Sequence, residues 1–583
     1  MAGVRWDGVM IIPPHKLSGA RNRHTCHLDG TGLPALFDVS KDVPCAWPNR
    51  DPHLVGEAKT VAWGGWWVPK HFLRGAFLLA VAGFLTSVLG LYRLLLPALI
   101  GAQGVGLYQM AYPIYGILFI LSTGGLPVAI SKMVADRLAR GDVAGSGRVF
   151  RLSMRALGLG GLVLGVAMAA SAGTLAANVA RDPRAALSIL AISPAIVLTG
   201  LAAVWRGHFQ GRQDMVPTAL SQLVDQAVRV VFIVVLVVVL RPYGLAVQAA
   251  GATFAAVIGM AADLAVLMAY RRRHPVPAAG RDRTPDRHLL GELLLLALPV
   301  AAATLVVPLM QLGDLVLVPT LLLHSGLALS ARTALYGELS GYAFPVMLLP
   351  SVATFAVAVA IVPSLAEAAA RGDRPTLIRR AADGLRATAM VAIPSTIGLW
   401  VLGTPIMVLL FHTPTAGPML TMLALSVLGL GLLQVAAGIL QGVGRANLPL
   451  YGICAGFVLK MVLTVVLMPT MGVAGAALAT SVGMLAAGAI TLLLAWRLIG
   501  TPIWLKDGVL RPMAGVPLMA AVLWWTTSHP GLAGSHSRLW GLIEVLAGAC
   551  AYALGSLVMG GWSRQERAHL LRHPLATLMG RDR

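Results

Sequence analysis

Between Phe72 and Asp142 the chain carries two apolar runs, Gly75 to Ile100 and Leu107 to Ile130, joined by a turn without charge. Each is long enough to cross a bilayer core of about 30 Å, which takes about 20 helical residues. At that depth the backbone must satisfy its own hydrogen bonds, so only helices and closed barrels span, and barrel strands need only about 10 alternating residues. Runs of this length therefore specify helices. Lys70, Arg74, Lys132, Arg137 and Arg140 flank the ends that share one side. Arg93 stands in the middle of the first run, where a guanidinium costs at least about 2.5 kcal/mol on insertion scales. Such a residue faces protein or water, and an anionic group is expected to meet it there.

The remainder of the 583 residues extends this pattern. Only 12% are charged and 57% are hydrophobic, against about 25% charged in a soluble domain, and the mean hydropathy is +0.78. The fold class is an all-α polytopic membrane protein. A net charge of +21 would suggest nucleic acid in a soluble chain. Here the basic residues sit in short loops between apolar runs, so membrane topology explains them and no nucleic-acid partner is implied. Cys26, Cys45, Cys454 and Cys550 form neither a disulfide framework nor a metal-like spacing.

Residues 1–68 differ from the rest, being rich in Pro, His, Trp and Gly without helical or strand period. Two readings fit them: a poorly ordered cytoplasmic extension, or a true translation start at Val61 or Val68. From Lys70 onward the pattern gives about fourteen spans, roughly 75–100, 107–131, 153–178, 185–205, 217–240, 244–270, 289–312, 337–363, 386–411, 416–440, 448–469, 472–497, 511–528 and 540–561. About 29 Lys and Arg fall in loops on one side and about 5 on the other (Arg181, Arg184, Arg241, Arg332 and Arg538). The bias places both termini in the cytoplasm of a cell-membrane protein.

An internal repeat divides the chain. Ala250–Met260 aligns with Ala474–Met484, with six of eleven positions identical, and Gln210-Gly211 with Pro217 echoes Gln441-Gly442 with Pro449. Shared small-residue packing faces would give part of this likeness, but the landmarks keep one order at nearly one offset. The expected organisation is a first lobe over 69–270 (spans 1–6), a basic linker over 271–288, a second lobe over 289–498 (spans 7–12), and 499–583 with spans 13–14 and a basic tail. Six spans per lobe make the halves parallel repeats with a cavity between them.

No metal motif, phosphate loop or nucleophile elbow stands out, and Gly158–Gly165 lacks the Lys-Ser/Thr of a phosphate loop. No cofactor is implied. A glycosyltransferase would want catalytic carboxylates beside a sizeable loop, and the loops are short. Ionisable residues inside spans remain as candidates. Arg93 is the foremost for binding an anionic group. Asp225 and Arg229 lie four apart in span 5, on one helix face, and read either as substrate contacts or as a neutralised internal pair. Lys460 in span 11 occupies nearly the place of Arg229 in the first half. Asp314, at the end of span 7 after Pro308, and Asp263 in span 6 are candidates for gating or for holding a coupling cation. Glu338 begins span 8 and reads as interfacial.

The motifs carry a resemblance. Gly101-Ala-Gln-Gly-Val-Gly-Leu-Tyr-Gln109, Ser122-Thr-Gly-Gly-Leu-Pro-Val-Ala-Ile-Ser-Lys132, Gly207-His-Phe-Gln-Gly211 with Pro217, Pro308-Leu-Met-Gln-Leu-Gly-Asp314 and Leu335-Tyr-Gly337 resemble the stage V sporulation protein B family. These proteins are polysaccharide-exporter-like members of the multidrug/oligosaccharidyl-lipid/polysaccharide flippase superfamily, alongside the MurJ-type lipid II flippases. The likeness runs from about Phe72 to Arg497. It implies a fourteen-helix, two-lobed flippase that moves undecaprenyl-pyrophosphate-linked peptidoglycan precursor by alternating access in cell-wall or spore-cortex synthesis. It also implies that Arg93 matches a cavity arginine of the first helix. A second basic residue usual six positions earlier is Ser87 here, and Arg229 or Lys460 are candidates to compensate. Another lipid-linked polysaccharide, a cation-coupled drug exporter with an acidic, aromatic-lined cavity, and a scaffold for cell-wall synthesis enzymes are the alternatives. Coupling to Na⁺, to H⁺ or to the membrane potential alone all fit these residues.

Overall fold

The computed structural model describes residues 60–63, 66–69, 95–271, 286–500, 510–529 and 538–559. Arg93, Ser87 and nearly all of the first expected span lie outside the described residues. A pair of four-residue antiparallel strands, Thr60–Trp63 and Trp66–Pro69, occupies part of the stretch that had shown no period; its Val and Trp residues suit a pleated strand. All the rest of the regular structure described is helix.

Twelve helices among the described residues are long and apolar enough to cross a membrane. They correspond to spans 2–12 and 14. Span 13 is the helix Val516–Ser528, preceded by the short turn Arg511–Met513. Several spans differ from straight helices for local reasons. At Gly101, φ 65°, the chain turns sharply into span 2, Leu96–Thr123, which bends at Gly124-Gly125 and continues as Leu126–Ala139. Gly125 takes a φ of 70° that an L side chain rarely adopts. Span 4 is Ala186–Ile192 followed by Pro194–Gly211. Span 7 runs from Asp286 to Leu321, nine residues beyond its expected end. Span 8 starts early, at Leu329–Gly337, passes through a π-helical turn at Glu338–Ala343 and continues as Phe344–Ala370. A π turn inside an α-helix is uncommon and recurs at functional sites.

The backbone carries the repeat more plainly than the side chains do. Left-handed residues recur 231 positions apart at Gly141 and Gly372, Arg181 and His412, and Gln213 and Gly444. The first pair belongs to matching Arg-Gly-Asp turns, in which Asp142 accepts from Gly145 N at 2.7 Å and Asp373 from Thr376 N at 3.1 Å. Each aspartate caps the next helix, Val143–Ala170 and Arg374–Val401, satisfying a donor that helix geometry leaves orphaned. Arg229 and Lys460 stand at the same separation, on Val216–Val239 and Pro449–Met471. Behind them, Gly259 and Gly483 of Leu245–Arg271 and Val473–Ile499 hold equivalent places: a Cβ on Gly259 would lie 3.2 Å from the Arg229 Cβ, and one on Gly483 2.8 Å from the Lys460 Cβ.

Packing differs between the two ends of the bundle. At the end away from the basic loops, residues of both halves share one apolar cluster, including Leu107, Met110, Ile189, Ala252, Leu315, Val346, Leu423 and Ala476. Toward the basic loops the core splits in two. One cluster joins Ile130, Met133, Trp205 and Phe209 to Leu289, Leu293 and Ala297 of span 7. The other holds Leu365, Leu385, Val435 and Ile499. The near half of span 7 thus packs among helices of the first half, tied also by Arg148 to Asp286 at 2.6 Å. Its far half pairs with span 11 of the second.

Candidate functional site

Tyr108, Tyr112, Tyr115 and Phe119 follow one another at spacings of four, three and four on a single face of span 2. Their rings form a ladder, with centroids 4.7, 6.3 and 5.8 Å apart. Such a stripe is ordinarily core. Here its three tyrosines belong to the core or pack against it and also border a cavity of about 230 Å³ between the two halves. Span 7 contributes Gln311 and Asp314, and span 8 contributes Tyr336, Ser340, Phe344 and Pro345. Tyr108 Oη donates to Tyr112 Oη at 2.8 Å, and Gln109 Nε2 donates across the cavity edge to the carbonyl of Ser340 at 2.8 Å. That carbonyl belongs to the π turn, whose altered register leaves a backbone acceptor for the glutamine to satisfy. No Lys or Arg lines the cavity among the described residues.

Lys460, Asp314, Arg229, Asp225 and Asp263 are all paired inside the spans. Lys460 Nζ donates to Asp314 Oδ2 at 2.6 Å and lies 3.4 Å from the Met310 carbonyl. Lys460 is only 1% exposed, behind the carboxylate that borders the cavity. Asp314 is not at the end of its helix but seven residues inside it, because the helix continues through Leu321. Its other oxygen, Oδ1, has no partner among the described residues. In the first half, Arg229 Nη2 donates to both oxygens of Asp225, at 2.8 and 2.9 Å. Asp263 pairs with Arg206, whose Nη2 lies 2.7 Å from Oδ1.

Arg206 is a residue that sequence reasoning missed. The apolar run stops at Trp205, which reads as leaving Arg206 in the following loop, yet the helix Pro194–Gly211 continues past it and it meets Asp263 of span 6. The signal was the uncompensated Asp263, which needed a cation within reach. Glu338 is buried rather than interfacial, accepting from Thr415 Oγ1 at 2.6 Å at the start of the π turn. Arg229 and Lys460, related by the repeat, are therefore neutralised differently. Arg229 uses a partner on its own helix, whereas the position equivalent to Asp225 is Gly456, and Lys460 reaches across to span 7.

Among the described residues, spans 2 and 8 close against each other at the end of the cavity away from the basic loops. Gly106 of span 2 packs against the carbonyl of Thr333, Gly337 against that of Ala102, and Gly341 against Val105; a Cβ at any of these glycines would collide. Small residues of this kind let membrane helices approach to backbone contact. Beside them Asp182 takes a hydrogen bond from Thr333 Oγ1 at 2.5 Å and pairs with Arg184 at 2.8 Å. Burial works to raise the Asp182 carboxyl, but the bonds from Arg184 and Thr333 outweigh it and hold it below the usual carboxylate range.

A bundle built of two repeated halves, joined at one end and enclosing a tyrosine-lined cavity, is a multi-pass membrane protein of transporter architecture. Residues 72–369 match the family described as Polysaccharide biosynthesis protein, and the chain belongs to it. It is 30% identical over 426 residues to Stage V sporulation protein B of Bacillus subtilis (strain 168), covering 71% of this chain and 82% of that protein. It is 27% identical over 441 residues to Lipid II flippase MurJ of the same organism, covering 72% and 81%. Among solved structures, an inward closed conformation of Lipid II flippase MurJ superimposes with a TM-score of 0.64 at 18% identity, over 83% of this chain and 98% of that one. That likeness is one of fold.

Proposed function

We propose that the protein is a flippase that carries an undecaprenyl-pyrophosphate-linked peptidoglycan precursor from the cytoplasmic to the outer leaflet by alternating access. The observation that carries this reading is the family membership, with relatives named for sporulation and for lipid II flipping. The packing supports it. Sealed on one side by glycine contacts and divided on the side of the basic loops, the bundle has the form of a transporter closed to the outside, with both termini in the cytoplasm. The lobes would be 69–270 and 289–498, rocking about the shared outer cluster. Arg93 would meet the pyrophosphate, since Arg229 and Lys460 already hold carboxylates. Cell-wall or spore-cortex synthesis would be the setting, and Na⁺, H⁺ or the membrane potential would drive the cycle.

The test is translocation of lipid II in liposomes, read by its accessibility from outside, with wild type beside Arg93→Ala and a known flippase as positive control. Transport by the wild type and its loss in a folded, inserted variant supports the reading. No lipid II movement by the wild type sinks the peptidoglycan assignment and directs the same vesicles to other undecaprenyl-linked glycans. One observation favours a second reading, a cation-coupled drug exporter: the cavity is aromatic-lined and the one charged residue lining it among those described is acidic. Lys460 cancels that charge at 2.6 Å, which leaves little attraction for a cationic drug.

A further inference from the structure

The cavity beside Asp314 has an unusual combination of features for a membrane interior. It is aromatic on one wall and polar on the other, and the one charged residue that lines it among those described is neutralised by Lys460. The aromatic wall is Tyr108, Tyr112 and Tyr115. On the opposite wall the Gln311 amide makes no hydrogen bond to any described residue, and Asp314 Oδ1 is likewise without a partner. A buried polar group without a partner is costly, at about 1–3 kcal/mol, so Asp314 Oδ1, with the half-buried Gln311 amide one turn away on the same wall, points to a ligand that brings hydroxyls and amides. Gln311 and Asp314 are three residues apart on span 7, on one face of the helix. The pairing of Asp314 with Lys460 is what decides the class of ligand. A bare carboxylate among tyrosines would attract a cation. With an ammonium 2.6 Å behind it, the carboxylate remains a strong acceptor but the pair carries no net charge. The volume, about 230 Å³, falls below the about 300 Å³ at which pockets for drug-sized ligands begin.

We propose that this cavity is a glycan subsite, taking one sugar ring of the lipid-linked cargo, with the ring against the tyrosines and its hydroxyl or acetamido groups on Gln311 and Asp314 Oδ1. The proposal rests on the flippase reading and assigns that reading's headgroup to two places. The pyrophosphate lies elsewhere, because no cation lines this cavity among the described residues. Lys460 is then a positioning residue: it holds the carboxylate in place and cancels its charge, and it does not touch the sugar.

The experiment is equilibrium binding to the full-length protein in nanodiscs, with two probes, lipid II and undecaprenyl pyrophosphate. Wild type is compared with Gln311→Leu, which keeps the side-chain volume and removes the amide, and with Tyr112→Leu, which removes a ring from the other wall. Both variants are checked for an unchanged melting temperature. Wild type is expected to prefer lipid II over the bare carrier by at least about tenfold, and each variant to lose most of that preference, as one or two hydrogen bonds or a stacking face would dictate. Affinity for the bare carrier should not move. Equal affinity of the wild type for the two lipids, or an equal loss for both lipids in the variants, overturns the glycan subsite. Ethidium displacing lipid II from wild type but not from Gln311→Leu would overturn it in favour of a cation site. Failure of the flippase reading shows separately, as absence of translocation in vesicles by a wild type that still discriminates the two lipids.

Discussion

Replacing Lys460 by Met tests the interior electrostatics most directly. The two charges lie 2.6 Å apart, with 1% and 11% of their side chains exposed. At an effective dielectric of about 20, the attraction is about 6 kcal/mol. Removing both ions from water costs several kcal/mol each, so the intact pair is worth little more than an apolar pair of the same size. The single variant is different. Lys460→Met leaves the Asp314 carboxylate buried with one oxygen already unpartnered, and breaking a buried pair in this way costs about 3–5 kcal/mol. Lys460→Met combined with Asp314→Leu should recover most of that loss. The assay is the melting temperature in detergent, followed by loss of the monodisperse peak, for wild type, each single variant and the double. The expected order puts both singles well below wild type and the double between them and wild type. A double variant no more stable than the worse single, or a Lys460→Met protein that melts with wild type, would refute the reasoning, since either outcome means the pair is not coupled as its geometry requires.

Two further perturbations address the sealed end. The Asp182 carboxyl is held below its ordinary value by Arg184 and Thr333 against the opposing effect of burial, so its stabilisation is complete above the unfolded value of about 3.9 and is lost as the pH falls through the folded value. Asp182→Asn should therefore lower the melting temperature at neutral pH, and the gap to wild type should shrink as the pH is taken below about 4; a gap independent of pH contradicts the assignment. Gly106→Val places a branched side chain against the Thr333 carbonyl, an overpacking that costs about 1–3 kcal/mol. Disulfide formation between cysteines placed at Gln109 and Ser340, which are hydrogen-bonded here, should fall roughly tenfold in the Gly106→Val background, the ratio that about 1.4 kcal/mol produces.

The spans were legible because hydrophobic length alone forces a helix through a bilayer, and the repeat was legible where residues such as Gly259 and Gly483 stayed small for packing. Its stronger trace was not visible as residue identity. Arg181 and His412 share a left-handed backbone at the 231-residue offset, yet nothing in those two side chains announces it. Span ends failed where polarity arrived before the helix stopped. Gly313-Asp314 looked like a boundary, and Arg206 looked like a loop residue, because hydropathy averages over a window and cannot see that each charge has a partner. Those partners, 146 and 57 positions away in sequence, are set by helix packing. The π turn at Glu338–Ala343 was hidden for the same reason: its carbonyl is satisfied by Gln109, 231 residues earlier in the chain.

These pairings bear on how a cargo with a charged and an uncharged part would be held. Arg229, Arg206 and Lys460 each already face a carboxylate, at 2.7 Å or so, and an incoming pyrophosphate would have to displace that carboxylate and leave it buried without a cation. That exchange is costly in a low-dielectric interior. No acidic residue lies between Lys70 and Lys132, so Arg93 has no partner on its own span of the kind Arg229 has in Asp225. The division proposed above assigns the anion to Arg93 and the sugar to the tyrosine-walled cavity. It makes a prediction for a charge-swapped cargo. A lipid carrier bearing an uncharged glycoside in place of the pyrophosphate should lose the dependence of its binding on Arg93, tested as Arg93→Ala in nanodiscs, and should keep its dependence on Gln311. If instead both substitutions weaken the uncharged carrier alike, the two parts of the headgroup share one site and the division is wrong.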